Sequence, residues 1–235
     1  MRLAREPTLL VHENQNQHDI NNMKTLKNSL ENSRKFGMSF LLIFLFPALM
    51  SNLTVPKNDN PLSGAEKEGL VYTLEEARLA QNVNAYLHDK WQEATFEYVL
   101  NDETNNILKF QRFIKKQGGS DPLSYAVNGK FNIPSMQDEY NKYIKIGKNS
   151  LLSAYYVSMT LEEQNYLNME NRINESKNTD LIKMYTNRLS SIGDHMRVLD
   201  KHMKKMDVAY EAQYMSQEKF EGILNPDILL DDVSM

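Results

Sequence analysis

The sequence predicts an all-α protein: four main helices in a bundle, with a crossing segment between the second and third and a short helix after the fourth. Three observations carry that prediction. Apolar residues recur at three- and four-residue spacings over four long stretches. No stretch of useful length alternates with the period of a strand. The nine glycines and seven prolines fall mostly between the periodic stretches, where breakers belong.

Taken in order, residues 1–35 are polar and rich in asparagine and glutamine and read as a disordered leader. Residues 36–50, FGMSFLLIFLFPALM, follow Lys24, Lys27, Arg34 and Lys35, and polar SNLTVPKNDN comes next. That is the layout of a secretory signal. The run is shorter than the roughly 20 apolar residues of a spanning helix. The expected location is therefore extracytoplasmic, with a membrane anchor at 36–50 as the alternative. Residues 51–63 form a linker, 64–224 the helical bundle, and 225–235 a flexible acidic tail.

Within the bundle, Ser63 and Glu66 stand as a capping box for a first helix from about Ala65 to Trp91. Its stripe is Tyr72, Leu79, Val83, Tyr86 and Leu87, with Glu76 in phase and Glu75 one step round. The second helix, Thr95 to Lys116, has Phe96, Val99, Leu100, Ile107, Phe110 and Ile114 on one face and ends at a glycine pair. Asp121 to Ser135 is the crossing segment, and a helix from Ser135 to Ile146 leads into the third main helix, Asn149 to Asn174. There Leu152, Tyr155, Met159, Tyr166, Met169 and Ile173 are in phase with Glu162, and Glu163 lies on a neighbouring row. The fourth helix runs from Thr179 or Asp180, either a cap, to about Met206. Its seam is Leu181, Tyr185, Leu189, Ile192, Met196, Leu199 and Met203, with His195 at the edge. Ser216 caps the short last helix, which carries Phe220, Ile223 and Leu224.

Composition narrows the chemistry. The net charge is −4 and the pI about 5.8, so no basic field advertises nucleic-acid binding. The absence of cysteine removes disulfides, thiolate metal sites, iron–sulfur ligation and thiol nucleophiles together. No glycine-rich phosphate loop occurs.

What remains is a set of carboxylates on apolar seams. Glu103 lies four residues after Val99 and four before Ile107, on the stripe of the second helix. A carboxylate there is costly unless something pairs with it. Glu76, Glu103, Glu162 or Glu163, and His195 each sit mid-helix, one set per main helix. Together without a cation the carboxylates repel and raise one another's pKa. A bundle holds metal with inward Glu-x-x-His pairs. Here Asn106 stands in the histidine position after Glu103, and Ile192 stands in the glutamate position before His195. Carboxylates, one imidazole and the Asn106 amide oxygen suit one divalent ion such as Fe(II), Mn(II) or Zn(II). The competing expectation is a metal-free bundle that binds a partner or serves structurally.

The segments Leu62-Ser-Gly-Ala-Glu-Lys-Glu-Gly-Leu, Glu75-Glu-Ala-Arg-Leu-Ala, Asp102-Glu-Thr-Asn-Asn, Gly147-Lys-Asn-Ser-Leu, Leu161-Glu-Glu-Gln-Asn, Gly193-Asp-His-Met-Arg and Tyr214-Met-Ser-Gln-Glu-Lys-Phe-Glu-Gly-Ile-Leu come in a distinctive order. Over residues 62–224 they resemble the ferritin-like family known as domain of unknown function 2202. The resemblance implies a ferritin-like bundle and names no substrate. Members carry a histidine where Asn106 stands and an aspartate where Asn165 stands, so the ligand set implied here is degenerate. Oxidase or peroxide-handling activity would need an external reductant, because no cysteine is present to hold an electron donor. The remaining partner expectations are transient membrane contact through the leader and, as one option, a homodimer.

Overall fold

The computed structural model describes residues 61–225. The leader, the signal-like run at 36–50, most of the linker and most of the acidic tail lie outside the described residues. All regular structure among the described residues is helical: α1 (Gly64–Trp91), α2 (Ala94–Lys116), α3 (Pro134–Gly147), α4 (Leu151–Glu175), α5 (Thr179–Lys205) and α6 (Gln217–Leu224). An isolated bridge between Val127 and Lys130 tightens the α2–α3 connection. Among the described residues no helix is long and apolar enough to cross a membrane.

The helix ends follow local chemistry. The Ser63 N–H donates to Glu66 Oε2 at 2.8 Å while the Glu66 N–H donates to Ser63 Oγ at 3.2 Å, closing the capping box. Glu66 Oε1 also accepts from Ser176 Oγ, the Lys177 N–H and the Asn178 N–H at 2.8–2.9 Å. One carboxylate thus ties the start of α1 to the α4–α5 turn. Gln92 takes a left-handed conformation (φ 55°) and lets the chain reverse into α2 over two residues. The fourth long helix is capped one residue earlier than the sequence suggested. Asn178 accepts from the Leu181 N–H at 3.0 Å, and Thr179 is already helical. Ser216 caps α6 through the Lys219 N–H at 3.2 Å, in the expected position.

The four long helices close on one another: α1 packs on α2 and α4, and α5 packs on α4 and α2. The core between them is apolar, with Leu74, Val83, Phe96, Val99, Met159, Leu181, Ile192 and Met196 shut off from solvent. Helix α3 lies against α1 and α4, and α6 against α5. These additions change which faces are exposed. All of Thr73–Ala80 on α1 and all of Ser153–Glu163 on α4 are buried, so neither helix has a solvent side there. Tyr72, expected in the α1 stripe, is instead exposed.

Arg78 shows why α1 is covered. Glu75 and Arg78 have the spacing of a surface pair, yet both are buried, with Nε 2.8 Å from Glu75 Oε2. The guanidinium also donates to the carbonyls of Val127 at 3.1 Å and Lys130 at 2.6 Å, and lies 4.2 Å from the Phe131 ring centre. Asn82 Oδ1 accepts from the Gly129 N–H at 2.7 Å. Gly129 has φ of 72°, a conformation that glycine reaches without strain. The crossing segment is therefore pinned onto α1 by two buried polar side chains.

Candidate metal centre

Between α2, α4 and α5 lies a knot of charge. Glu103, Glu162 and His195 are fully shut off from solvent, and each offers a ligand atom within 4.8 Å of the others. His195 Nδ1 stands 3.2 Å from Glu162 Oε2 and 3.9 Å from Glu103 Oε1. Its other nitrogen, Nε2, stands 3.1 Å from Oδ2 of Asp102, a half-buried residue next to Glu103 on α2. This buried Glu–Glu–His group could hold a metal.

The Asp102 contact decides what the ring offers. A carboxylate accepting from one imidazole nitrogen fixes the tautomer and aims the other nitrogen's lone pair. With Nε2–H donated to Asp102, Nδ1 faces the two glutamates. Burial disfavours the charged ring. The Glu162 charge, hydrogen bonds to Asp102 and Glu162, and the Glu103 charge outweigh it and hold the His195 pKa up at about 10. The Asp102 carboxyl is held down at about 2, chiefly by its bond to His195. In the metal-free protein at neutral pH, Nδ1 therefore carries a proton and donates it to Glu162.

Each glutamate keeps one oxygen spare. Oε1 of Glu103 and Oε1 of Glu162 are buried and have no hydrogen-bond partner. Burying a bare carboxylate oxygen is unfavourable, and a hard cation is one way to satisfy two of them at once. The donor set of two carboxylates and one imidazole fits a borderline divalent ion on this ground.

Arg188 is the group that sequence reasoning missed. Its guanidinium is buried and forms an ion pair with Glu103 through Nη1 and Oε2. The pattern held a signal. Leu181, Tyr185, Arg188, Ile192, His195 and Leu199 alternate spacings of four and three, so Arg188 stands squarely in the α5 seam. Leu189, expected in that seam, is only half-buried. His195, expected at the seam's edge, lies inside it. Asp102 was likewise overlooked beside Glu103.

The other expected ligands have different neighbours. Glu76 is buried on α1 and accepts from Asn168 Nδ2 at 2.6 Å. Burial pushes its carboxyl up to about 7, against the pull of Arg172 and Arg188. Its ligand atoms are not part of the close Glu103–Glu162–His195 group. Asn106 turns to Asp102, donating at 3.0 Å, and its oxygen accepts from Lys109 Nζ at 3.3 Å. Glu163 serves another part of the fold. It accepts from the Tyr210 hydroxyl and from the N–H groups of Gln213, Tyr214 and Met215, all at 2.6–2.8 Å.

Comparison with known proteins places the chain among relatives. A family model described as "Uncharacterized protein domain (DUF2202)" matches residues 66–227. The chain is 29% identical over 172 residues to the uncharacterized protein MJ0754 of Methanocaldococcus jannaschii, an alignment covering 73% of this chain and 92% of that protein. A crystal structure titled as that of the hypothetical protein MJ0754 from Methanococcus jannaschii superposes with a TM-score of 0.68 at 29% identity. It covers 73% of this chain and 97% of that one. The helical scaffold, the matched span and the shared sequence agree, and the chain belongs to the DUF2202 family.

Proposed function

We propose that the protein is an exported ferritin-like four-helix bundle that binds one divalent ion, Fe(II), Mn(II) or Zn(II), between Glu103, Glu162 and His195. The observation that carries this reading is a spare, buried Oε1 atom on each of two glutamates that close on one imidazole. Asp102 orients that imidazole from its far side. An ion bound there would supply a Lewis-acid or one-electron centre in a water-poor core. The chain's own part is to shape the donor set, hold the His195 tautomer and give up the Nδ1 proton when the ion enters. Any redox turnover would draw on an external reductant. The export part of the proposal rests on the basic-then-apolar leader alone.

A second reading has its own observation. Arg188 already neutralises Glu103, and a protonated His195 neutralises Glu162. The cluster would then be a closed set of ion pairs inside a metal-free binding or structural bundle.

Melting curves separate the two. At a free concentration about 100 times Kd, an ion that binds only the native state adds about 2.7 kcal/mol. For a chain of this size that raises the midpoint by about 5–10 °C. The shift should appear with at least one of Fe(II), Mn(II) and Zn(II), and chelator should reverse it. Glu162→Gln should abolish it, and Asp102→Asn should weaken affinity by about 10–100-fold. A wild-type midpoint indifferent to all three ions leaves the metal-free reading.

A further inference from the structure

We propose that Arg188 is a built-in cation that takes the place of a second metal ion and so limits the cluster to one. The inference rests on the single-ion reading above and concerns how many ions the carboxylates accept. Glu103 and Glu162 belong to the close group, and Glu76 of α1 is buried outside it, near enough to Arg188 for the two charges to act on each other. Arg188 is the buried guanidinium that acts on all three. It pairs with Glu103 directly, and the charges of Glu162 and Glu76 also favour its charged form.

How the guanidinium is held argues for charge as its purpose. An arginine retained for structure normally spends its five donors on oxygen partners. Arg78 in this protein does so, with Nε, Nη1 and Nη2 each bonded. Arg188 uses Nη1 on Glu103, and its buried Nε and Nη2 have no partner. Leaving donors bare in the core is unfavourable, and Tyr185 and Ile192 show that the seam on either side accepts an aromatic or an aliphatic residue. What an apolar residue at 188 could not supply is the positive charge. Without it, Glu103 would lose the guanidinium on its Oε2 and Glu76 one of the two arginines that act on it, leaving carboxylate charge that a divalent ion can answer.

The consequence is a change in stoichiometry. Arg188→Met keeps an unbranched side chain and removes the charge, which frees Glu103 Oε2. That oxygen and Glu76 become available to a second ion. Arg188→Lys keeps the charge and should keep the site at one ion.

The test is equilibrium dialysis of the full chain against Co(II), with bound metal measured by elemental analysis and the ligand field followed by visible absorbance. Wild type and Arg188→Lys should each bind one ion. Arg188→Met should bind a second with a distinct absorbance band, and Glu76→Gln in that background should remove the second while sparing the first. Wild type binding one ion and Arg188→Met also binding one overturns the proposal and leaves the single-ion reading intact. Wild type binding two overturns it as well. Wild type binding none defeats the single-ion reading; Arg188→Met gaining an ion would then still support Arg188 as the displacing cation, and its failure to gain one would overturn that too. Should Arg188→Met fold poorly, it is refolded with Co(II) beside Arg188→Gln. Recovery of helix in either variant with the extra ion bound supports the proposal. Failure of both to recover with Co(II) counts against it, because an ion that substitutes for the guanidinium should restore the core.

Discussion

At the scale of single residues, the fold spends its core on charges that hold one another. His195 carries the clearest signature. Its pKa is raised from 6.5 to about 10 in the folded protein. A raised pKa means the native state binds the proton more tightly than the unfolded chain does. The stabilisation is therefore fully present below about 6.5 and is lost as pH rises through about 10. The metal-free protein should lose a few kcal/mol of unfolding free energy across that window. Denaturant midpoints at a series of pH values measure this, and His195→Gln should flatten the alkaline limb. A wild-type profile level between those two pH values would mean the imidazolium is not held as described. Asn106 is the contrasting case. The spacing to Glu103 suggested a ligand, but an amide next to Asp102 and Lys109 found two polar partners closer to the surface.

At the scale of elements, α4 is the helix where neighbouring residues part company. Glu162 and Glu163 are adjacent in sequence and about 100° apart around the helix. One enters the cluster, and the other collects four donors from residues 210–215. Glu163→Gln keeps the shape and removes the charge that those donors share. The loss should be at least about 1.5–3 kcal/mol, the worth of hydrogen bonds to a charged group. Hydrogen exchange should locate it, with the amides of Gln213, Tyr214 and Met215 speeding up while those of α1 and α2 hold. Uniform acceleration throughout the chain would point to global destabilisation instead. Periodicity put Glu162 in phase with the seam and Glu163 on a neighbouring row, but where the Glu163 row leads was not legible in the sequence. A helix buried on one face sorts its residues by periodicity, but α4 is buried all round between Ser153 and Glu163, and periodicity has nothing to sort. The opposite holds for α5, where the alternation of fours and threes reached Arg188 and His195 and needed only to be followed through a charged residue.

At the scale of the whole molecule, the all-helical order, the capping box and the terminal helix could be read from apolar spacing and cap residues. Those are local signals, each confined to a turn or two. Contacts that join distant segments could not. Arg78 holding the crossing segment and Glu66 holding the α4–α5 turn involve partners far away in the chain, and local pattern is silent about them. Glu66 makes this testable. The Ser63 N–H above all, then the Asn178 and Lys177 N–H groups, hold its carboxyl at about 2 against burial's opposite pull, well below the ordinary 4.5. A depressed pKa contributes stability above about 4.5 that disappears as pH falls through about 2. Glu66→Gln should therefore be less stable than wild type at neutral pH and converge with it in acid, as followed by circular dichroism during acid titration. Parallel curves that never converge would remove Glu66 from the acid response.

Glu163 also sets an order in time. A chain made from its N-terminus presents α4 before residues 210–215 exist. Until they arrive, the Glu163 carboxylate lacks those donors and draws on water instead. Docking of the Tyr210–Met215 segment exchanges that water for four protein donors.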